Sequence, residues 1–180
     1  MTLITSHSQG FGRGILETFV REGGSVLGMD AQAKDGAVEG YTENQAYQIQ
    51  GNVTEETSCR RALETSISHF GKVPSIVVHN AGCGPANKTS CNVLILEMKK
   101  NGPGSIVVIS SEFSIRPGPR QAWYCATNAG ISAATKAMAL YPIGHLVEPL
   151  DVANAARFLA KPASSIISGI AVFVNGAKIV

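Results

Sequence analysis

A three-layer α/β domain around a parallel sheet is what this chain predicts, on three observations. Short apolar runs alternate with longer amphipathic ones along its length; a glycine-bearing turn, TSHSQGFG, separates the first run from the second; and an acidic residue, Asp30, follows the second. A parallel neighbour can be reached only through a crossover, and the crossover helices then cover both faces of the sheet.

Each element follows in order. Thr2 to Thr5 reads as a short apolar strand, and Gly12 to Glu22 as a helix whose Ile15, Leu16 and Phe19 share one face. Ser25 to Met29 is the second strand. Ala31 to Gln45 is polar and poorly patterned, leading into a third strand at Ala46 to Gln50. Thr54 is placed as an N-cap, with Glu55 and Glu56 in the positive first turn of a helix that reaches Phe70 through Cys59, Leu63 and Ile67. Ser75 to His79 and Ser105 to Ile109 are the fourth and fifth strands. A helix then runs from Trp123 to about Leu140, Pro149 takes the first position of a helix ending about Ala160, and Ile170 to Val174 is a last strand.

With 180 residues, 44% of them hydrophobic, the chain can bury a real core and reads as a single domain, 1–180. The net charge is +2 and no Lys/Arg run exceeds two residues, which argues against a nucleic-acid partner. The start turns polar quickly and no apolar stretch approaches a membrane span, so a soluble, cytoplasmic protein is expected. Cys59, Cys83, Cys91 and Cys125 have no CxxC spacing and accompany no HxxxH, which points away from disulfides and from a metal site.

The chemistry concentrates in ISSEFSIRPGPRQAWYCATN. Tyr124 stands thirteen residues after Ser111, with an apolar strand in front and a helical stretch behind. Moving a hydride to or from a carbinol carbon also moves a proton on the oxygen, and a tyrosine can handle that proton if its pKa, about 10, is pulled down. A cation one helical turn away does so, yet the residue four places on is Asn128. Lys136 is no substitute, because twelve residues of helix put it about 18 Å along the axis from Tyr124.

This window resembles the active site of the short-chain dehydrogenase/reductase family, in which a serine, a tyrosine and a YxxxK lysine act together. The resemblance implies that Ser111 orients the substrate oxygen, that Tyr124 is the proton donor and acceptor, and that Asn128 takes the lysine position without its charge. TSHSQGFG is similar to the family's TGxxxGxG cofactor loop, keeping Gly10, Phe11 and Gly12 but with Ser6 for the first glycine. A serine there adds a side chain at a turn that wants an unusual backbone angle. Asp30, 18 residues after Gly12, stands where a carboxylate accepts the ribose 2′-hydroxyl and favours NAD over NADP. Asn52 and Val53 match the DV pair beside adenine, and Asn80, Ala81 and Gly82 match NNAG, with His79 for its first asparagine.

The family resemblance implies a Rossmann-like, doubly wound sheet, and it also exposes two omissions. Between HNAG and the fifth strand only Cys83 to Gly104 remain, where the family has a long helix with a further active-site asparagine and much of the tetramer interface. Further on, ATKAMAL runs directly into PIGHLVEP, omitting a strand and the substrate-covering loop. One strand and one long helix are thus expected to be missing. The first reading is an NAD-dependent oxidoreductase interconverting a secondary alcohol and a ketone. The alternatives are a dinucleotide-binding protein that no longer turns over and a degenerate, truncated member that folds marginally.

Overall fold

The computed structural model describes residues 1–81, 86–102, 104–138, 158 and 166–167. By compactness the chain divides into Met1–Ser132 and Ala133–Val180, and the described sheet lies in the first unit. The elements among the described residues are β1 (Thr2–Thr5), α1 (Gly10–Arg21), β2 (Val26–Asp30), β3 (Gly36–Ala37), β4 (Ala46–Gln50), α2 (Glu56–Phe70), β5 (Ile76–His79), α3 (Ala86–Asn101), β6 (Ser105–Val108) and α4 (Ala122–Met138), with a 3-10 turn at Glu112–Ser114.

The strands form one sheet in the order β3-β4-β2-β1-β5-β6. All neighbours are parallel except β3, which pairs antiparallel with β4 through Gly36 opposite Gln48 and Ala37 opposite Tyr47. From β1 the chain steps outward to β2 and β4, then crosses back to β5 on the other side of β1. The loops after β1 and β5 therefore diverge, and the crevice at such a switch point is where this architecture takes ligands.

Strand alternation builds two cores. Leu3, Leu27 and Val77 face one side of the sheet, against Cys59 and Ala62 of α2 and Val93, Leu94 and Met98 of α3. Their neighbours Ile4, Val26 and Val78 face the other, against Leu16 and Val20 of α1. A side-chain period of two sends adjacent residues to opposite faces, so near-continuous apolar strands fill both. On α1 the buried positions Gly12, Leu16 and Val20 recur every fourth residue and form one stripe.

Three sequence expectations are corrected. Thr54 is not the N-cap of α2; Glu55 is, because Asn52 Oδ1 accepts both the Thr54 N–H at 3.0 Å and its hydroxyl at 2.8 Å, forming a local turn in competition with the helix. The polar stretch Ala31 to Gln45 contains β3, too short to leave a period. A helix also survives between β5 and β6: α3 has 16 residues, where only a remnant near Cys91 to Lys100 in place of one lost long helix was expected. Pro149, the helix to Ala160 and the strand Ile170 to Val174 lie outside the described residues, apart from the helical Phe158.

Candidate active site

The turn after β1 is built from three interlocked contacts. Ser6 adopts φ +55°, the left-handed conformation that the missing first glycine would have taken without strain. Its N–H donates to Met29 O at 2.8 Å, and its C=O accepts Asn80 Nδ2 at 2.9 Å. Thr5 Oγ1 accepts the N–H groups of both Asn80 and Ala81 at 3.1 Å, tying the loop after β5 to the end of β1. Gly12 then lets α1 approach this junction: a Cβ there would lie 2.1 Å from Ser6 O and 2.6 Å from Asn80 Nδ2.

The helix that starts here is open for an anion. Gln9 occupies the N-cap position without a side-chain hydrogen bond, and the first turn carries no acidic residue. Its leading N–H groups and the positive end of the helix dipole are the features that bind phosphate. Phe11 is largely solvent-exposed, and Gly82 lies outside the described residues.

Beside this turn a pocket of about 200 Å³ is lined by Ser6, Met29, Asp30, Ala31, Gly51, Asn52, Val53 and Ala81. Asp30, Asn52, Val53 and Ala81, far apart in sequence, thus share one cavity with Ser6. Partial burial raises the Asp30 pKa, but hydrogen bonds from Gln32 and Ser8 and the nearby His7 outweigh it and hold the carboxyl below its ordinary value. The Ser8 N–H donates to Oδ2 at 3.2 Å and the Gln32 N–H to Oδ1 at 3.0 Å. Each oxygen keeps a lone pair for a further donor. The cradle at Gly12, the uncapped helix end and the carboxylate-rimmed pocket together fit a dinucleotide.

Sequence reasoning missed Thr5, Met29, Ala31, Gly51 and His7. Gly51 adjoins Asn52 in GNVT, which is the one signal the sequence offered; the structure gives its reason, since a Cβ there would lie 2.8 Å from Met29 Sδ. His7 is fully buried, its ring against Gly28, with Nε2 2.9 Å from Gln48 Oε1. Its buried Nδ1 has no hydrogen-bond partner among the described residues. Nothing in the sequence spacing links positions 7, 28 and 48; the β2–β4 pairing does.

At the other end of the crevice, Ser111 Oγ accepts the Phe113 N–H at 3.2 Å. The Phe113 ring meets Tyr124 edge to face, with centroids 6.1 Å apart. Tyr124 is 46% exposed, and no hydrogen bond joins its hydroxyl to Ser111 among the described residues. Asn128, by contrast, is buried at 5% exposure. Its Nδ2 donates to Tyr124 O at 2.9 Å, and Ser110 Oγ lies 3.4 Å from its Oδ1 and 3.2 Å from its main-chain oxygen. The amide is engaged with its own helix and with the end of the neighbouring strand, rather than facing outward. Lys136 has no described side chain.

Comparison with known proteins agrees with this architecture. The family model for short chain dehydrogenase matches residues 1–93 and 88–147, and the chain belongs to that family. It is 24% identical to the 2,5-dichloro-2,5-cyclohexadiene-1,4-diol dehydrogenase of Sphingobium indicum, covering 98% of this chain and 94% of the relative. It is 25% identical to the 3-oxoacyl-[acyl-carrier-protein] reductase of Haemophilus influenzae, covering 98% and 96%. The first alignment runs over 236 positions against the chain's 180 residues, so the relative carries stretches with no counterpart here.

Solved structures show the same Rossmann-type fold. A short-chain dehydrogenase from Streptomyces avermitilis superposes with a TM-score of 0.67 at 24% identity, over 77% of this chain and 59% of that one. The 3-ketoacyl-(acyl-carrier-protein) reductase of Brucella melitensis, solved with NADH, gives 0.63 at 24% identity over 97% and 96%. Among the described residues no helix is long and apolar enough to cross a membrane, and no cluster of His, Cys, Asp or Glu is arranged to hold a metal.

Proposed function

We propose that the chain is an NAD-dependent oxidoreductase interconverting a secondary alcohol and a ketone, with slow turnover. The observation that carries the cofactor half is the Asp30 carboxylate on the rim of a pocket shared with Ser6, Asn52, Val53 and Ala81. In this reading the carboxylate accepts the hydroxyls of an adenosine ribose and repels a 2′-phosphate, selecting NAD over NADP. The first turn of α1, with Gly10, Phe11 and Gly12, and the Asn80–Ala81–Gly82 segment complete the cradle. NAD supplies a hydride acceptor when bound.

The chain's own residues then handle the oxygen. Ser111 keeps its hydroxyl hydrogen while accepting from Phe113, so it can donate to the substrate oxygen and orient it. Tyr124 takes the proton as alcohol becomes ketone and returns it in the reverse direction. Asn128 occupies the position of the family's lysine but brings no cation toward Tyr124, so the charge that would favour the proton transfer is missing, which is the basis for slow turnover. The family's small-molecule dehydrogenase and reductase chemistry is the basis for the substrate class.

A second reading, favoured by the inward-turned Asn128 amide, is a dinucleotide-binding protein without turnover. One series of measurements separates the two. NADH fluorescence titration is expected to show binding, with NADPH weaker and the difference narrowed by Asp30→Ala. With a panel of secondary alcohols, Asn128→Lys is expected to raise oxidation near neutral pH, within the range of about 10²-fold to 10⁴-fold typical of general acid/base catalysis. Tyr124→Phe on that background should remove the gain. Binding without any gain selects the second reading, and no NADH binding rejects both.

A further inference from the structure

A closed ring of interactions surrounds Gln50, the residue that faces Asp30 across the β2–β4 ladder. Its N–H donates to Asp35 Oδ1 at 2.9 Å, and its C=O accepts Arg61 Nη1 at 3.0 Å. Arg61 Nη2 holds the other oxygen of Asp35, closing the ring. The Gln50 side-chain amide reaches back to Ala31 O at 3.1 Å. Between the end of β2 at Asp30 and the start of β3 at Gly36, the intervening residues have no strand or helix of their own to fix them. Gln32 and Ala33 bond back to Asp30, and the ring adds the tie from this segment to β4, from outside the pocket that Asp30, Ala31 and Gly51 line.

We propose that Arg61 is a positioning residue for the nucleoside end of the cofactor. The Asp30 main chain is already tied to Gly51, whose N–H donates to Asp30 O at 3.1 Å; together with Asp35, Arg61 fastens the 31–35 loop beyond it to the end of β4, so that Ala31 and the Gln32 N–H that orients the Asp30 carboxylate keep their places beside Gly51, Asn52 and Val53. The inference rests on the dinucleotide-binding reading. The Arg61–Asp35 pair is roughly half exposed, with side chains at 47% and 42%, so its charge attraction contributes little to global stability. What it supplies is geometry. One planar guanidinium engages a carbonyl and a carboxylate at once, which an ammonium does less well. Loss of that fork frees the loop while the sheet, held by its own ladder, stays intact.

The test compares dissociation constants for NADH, AMP and nicotinamide mononucleotide, with melting temperatures, across wild type, Arg61→Ala, Arg61→Lys and Asp35→Asn. Arg61→Ala is expected to weaken NADH and AMP by the same factor, about threefold to tenfold, as loss of one or two hydrogen bonds entails. Nicotinamide mononucleotide should be unaffected and the melting temperature nearly so; Arg61→Lys should restore only part of the loss. Unchanged NADH and AMP affinity in Arg61→Ala, with wild type binding normally, overturns the proposal alone. Equal weakening of nicotinamide mononucleotide also overturns it, since the effect is then general. A wild type that binds no NADH defeats the dinucleotide reading itself and this inference with it. If Arg61→Ala does not fold, Asp35→Asn decides by the same criteria, because it removes the charge partner yet keeps an acceptor for the Gln50 N–H.

Discussion

His79 ends β5 with its ring buried, and burial pulls its pKa from 6.5 down to about 4. The unfolded chain therefore takes up a proton near pH 6.5 that the folded chain refuses until near pH 4. Stability from this residue is complete above pH 6.5 and falls as pH drops toward 4, by about 3 kcal/mol in all. Urea melts at pH 7.5 and 4.5 should show the decline, and His79→Asn should flatten it; an equal decline in the variant would remove His79 as the cause. Ser6 offers a second residue-level test. A non-glycine residue held left-handed costs roughly 1 kcal/mol, so Ser6→Gly is expected to raise the melting temperature and tighten NADH binding, both measurable in one thermal-shift series.

Helix α1 shows how an element is placed by one absent side chain. Gly12→Ala would drive a methyl into Ser6 O and Asn80 Nδ2, with no flexible group to yield at the Ser6 carbonyl. The expected cost is about 1–3 kcal/mol, with NADH binding reduced because the helix end must withdraw from the turn. Gly14→Ala on the same helix meets nothing within 4 Å and should instead stabilise by about 0.5–1 kcal/mol. Chemical denaturation of the two variants side by side checks the contrast. Helix α4 is placed differently, through Ser110, whose hydroxyl lies within 3.3 Å of Ser132 Oγ and reaches the main-chain oxygen of Asn128. Position 128 is buried on the side of this attachment, with Ser110 Oγ 3.2 Å from its main-chain oxygen, a feature of packing rather than of the YxxxN spacing.

Over the whole molecule, several large apolar side chains remain in solvent: Phe11 and Ile115 at 82% and Trp123 at 87%. Trp123 is the chain's one tryptophan, so its emission reports directly on that surface. A monomer should emit as solvated indole and be readily quenched by acrylamide. We propose that the shortened segment before β6 prevents the family's tetramer contact, leaving a monomer or a heterogeneous, associating sample. Light scattering checks it: a sharp tetramer with blue-shifted, protected Trp123 emission would contradict the proposal.

Much of this was written in local sequence. The apolar runs became β1, β2, β4, β5 and β6 almost at their expected limits, because a buried parallel strand needs consecutive apolar residues whatever its neighbours are. The places of Asp30 at the end of β2 and of Gly10 and Gly12 at the start of α1 were legible because they depend on chain order: strand, turn, helix, strand, acid. Thr54 lost the N-cap to Glu55 through a local competitor, the Asn52 side chain two residues before it. Other features depended on what folding brings together. His7 found Gly28 and Gln48 only through strand pairing, and Arg61 reached Asp35 and Gln50 only once α2 had docked. Asn128 was legible as a lost charge, but its burial against Ser110 was not. The sequence by itself determined the α/β class and the order of elements along the chain, which follow from periodicity, and the family, which its motifs carry; the strand order β3-β4-β2-β1-β5-β6 came only with the structure. Tertiary structure alone decided which distant polar groups meet, such as His7 with Gln48 and Arg61 with Asp35, because hydrogen bonds act over about 3 Å between residues that chain spacing leaves tens of positions apart.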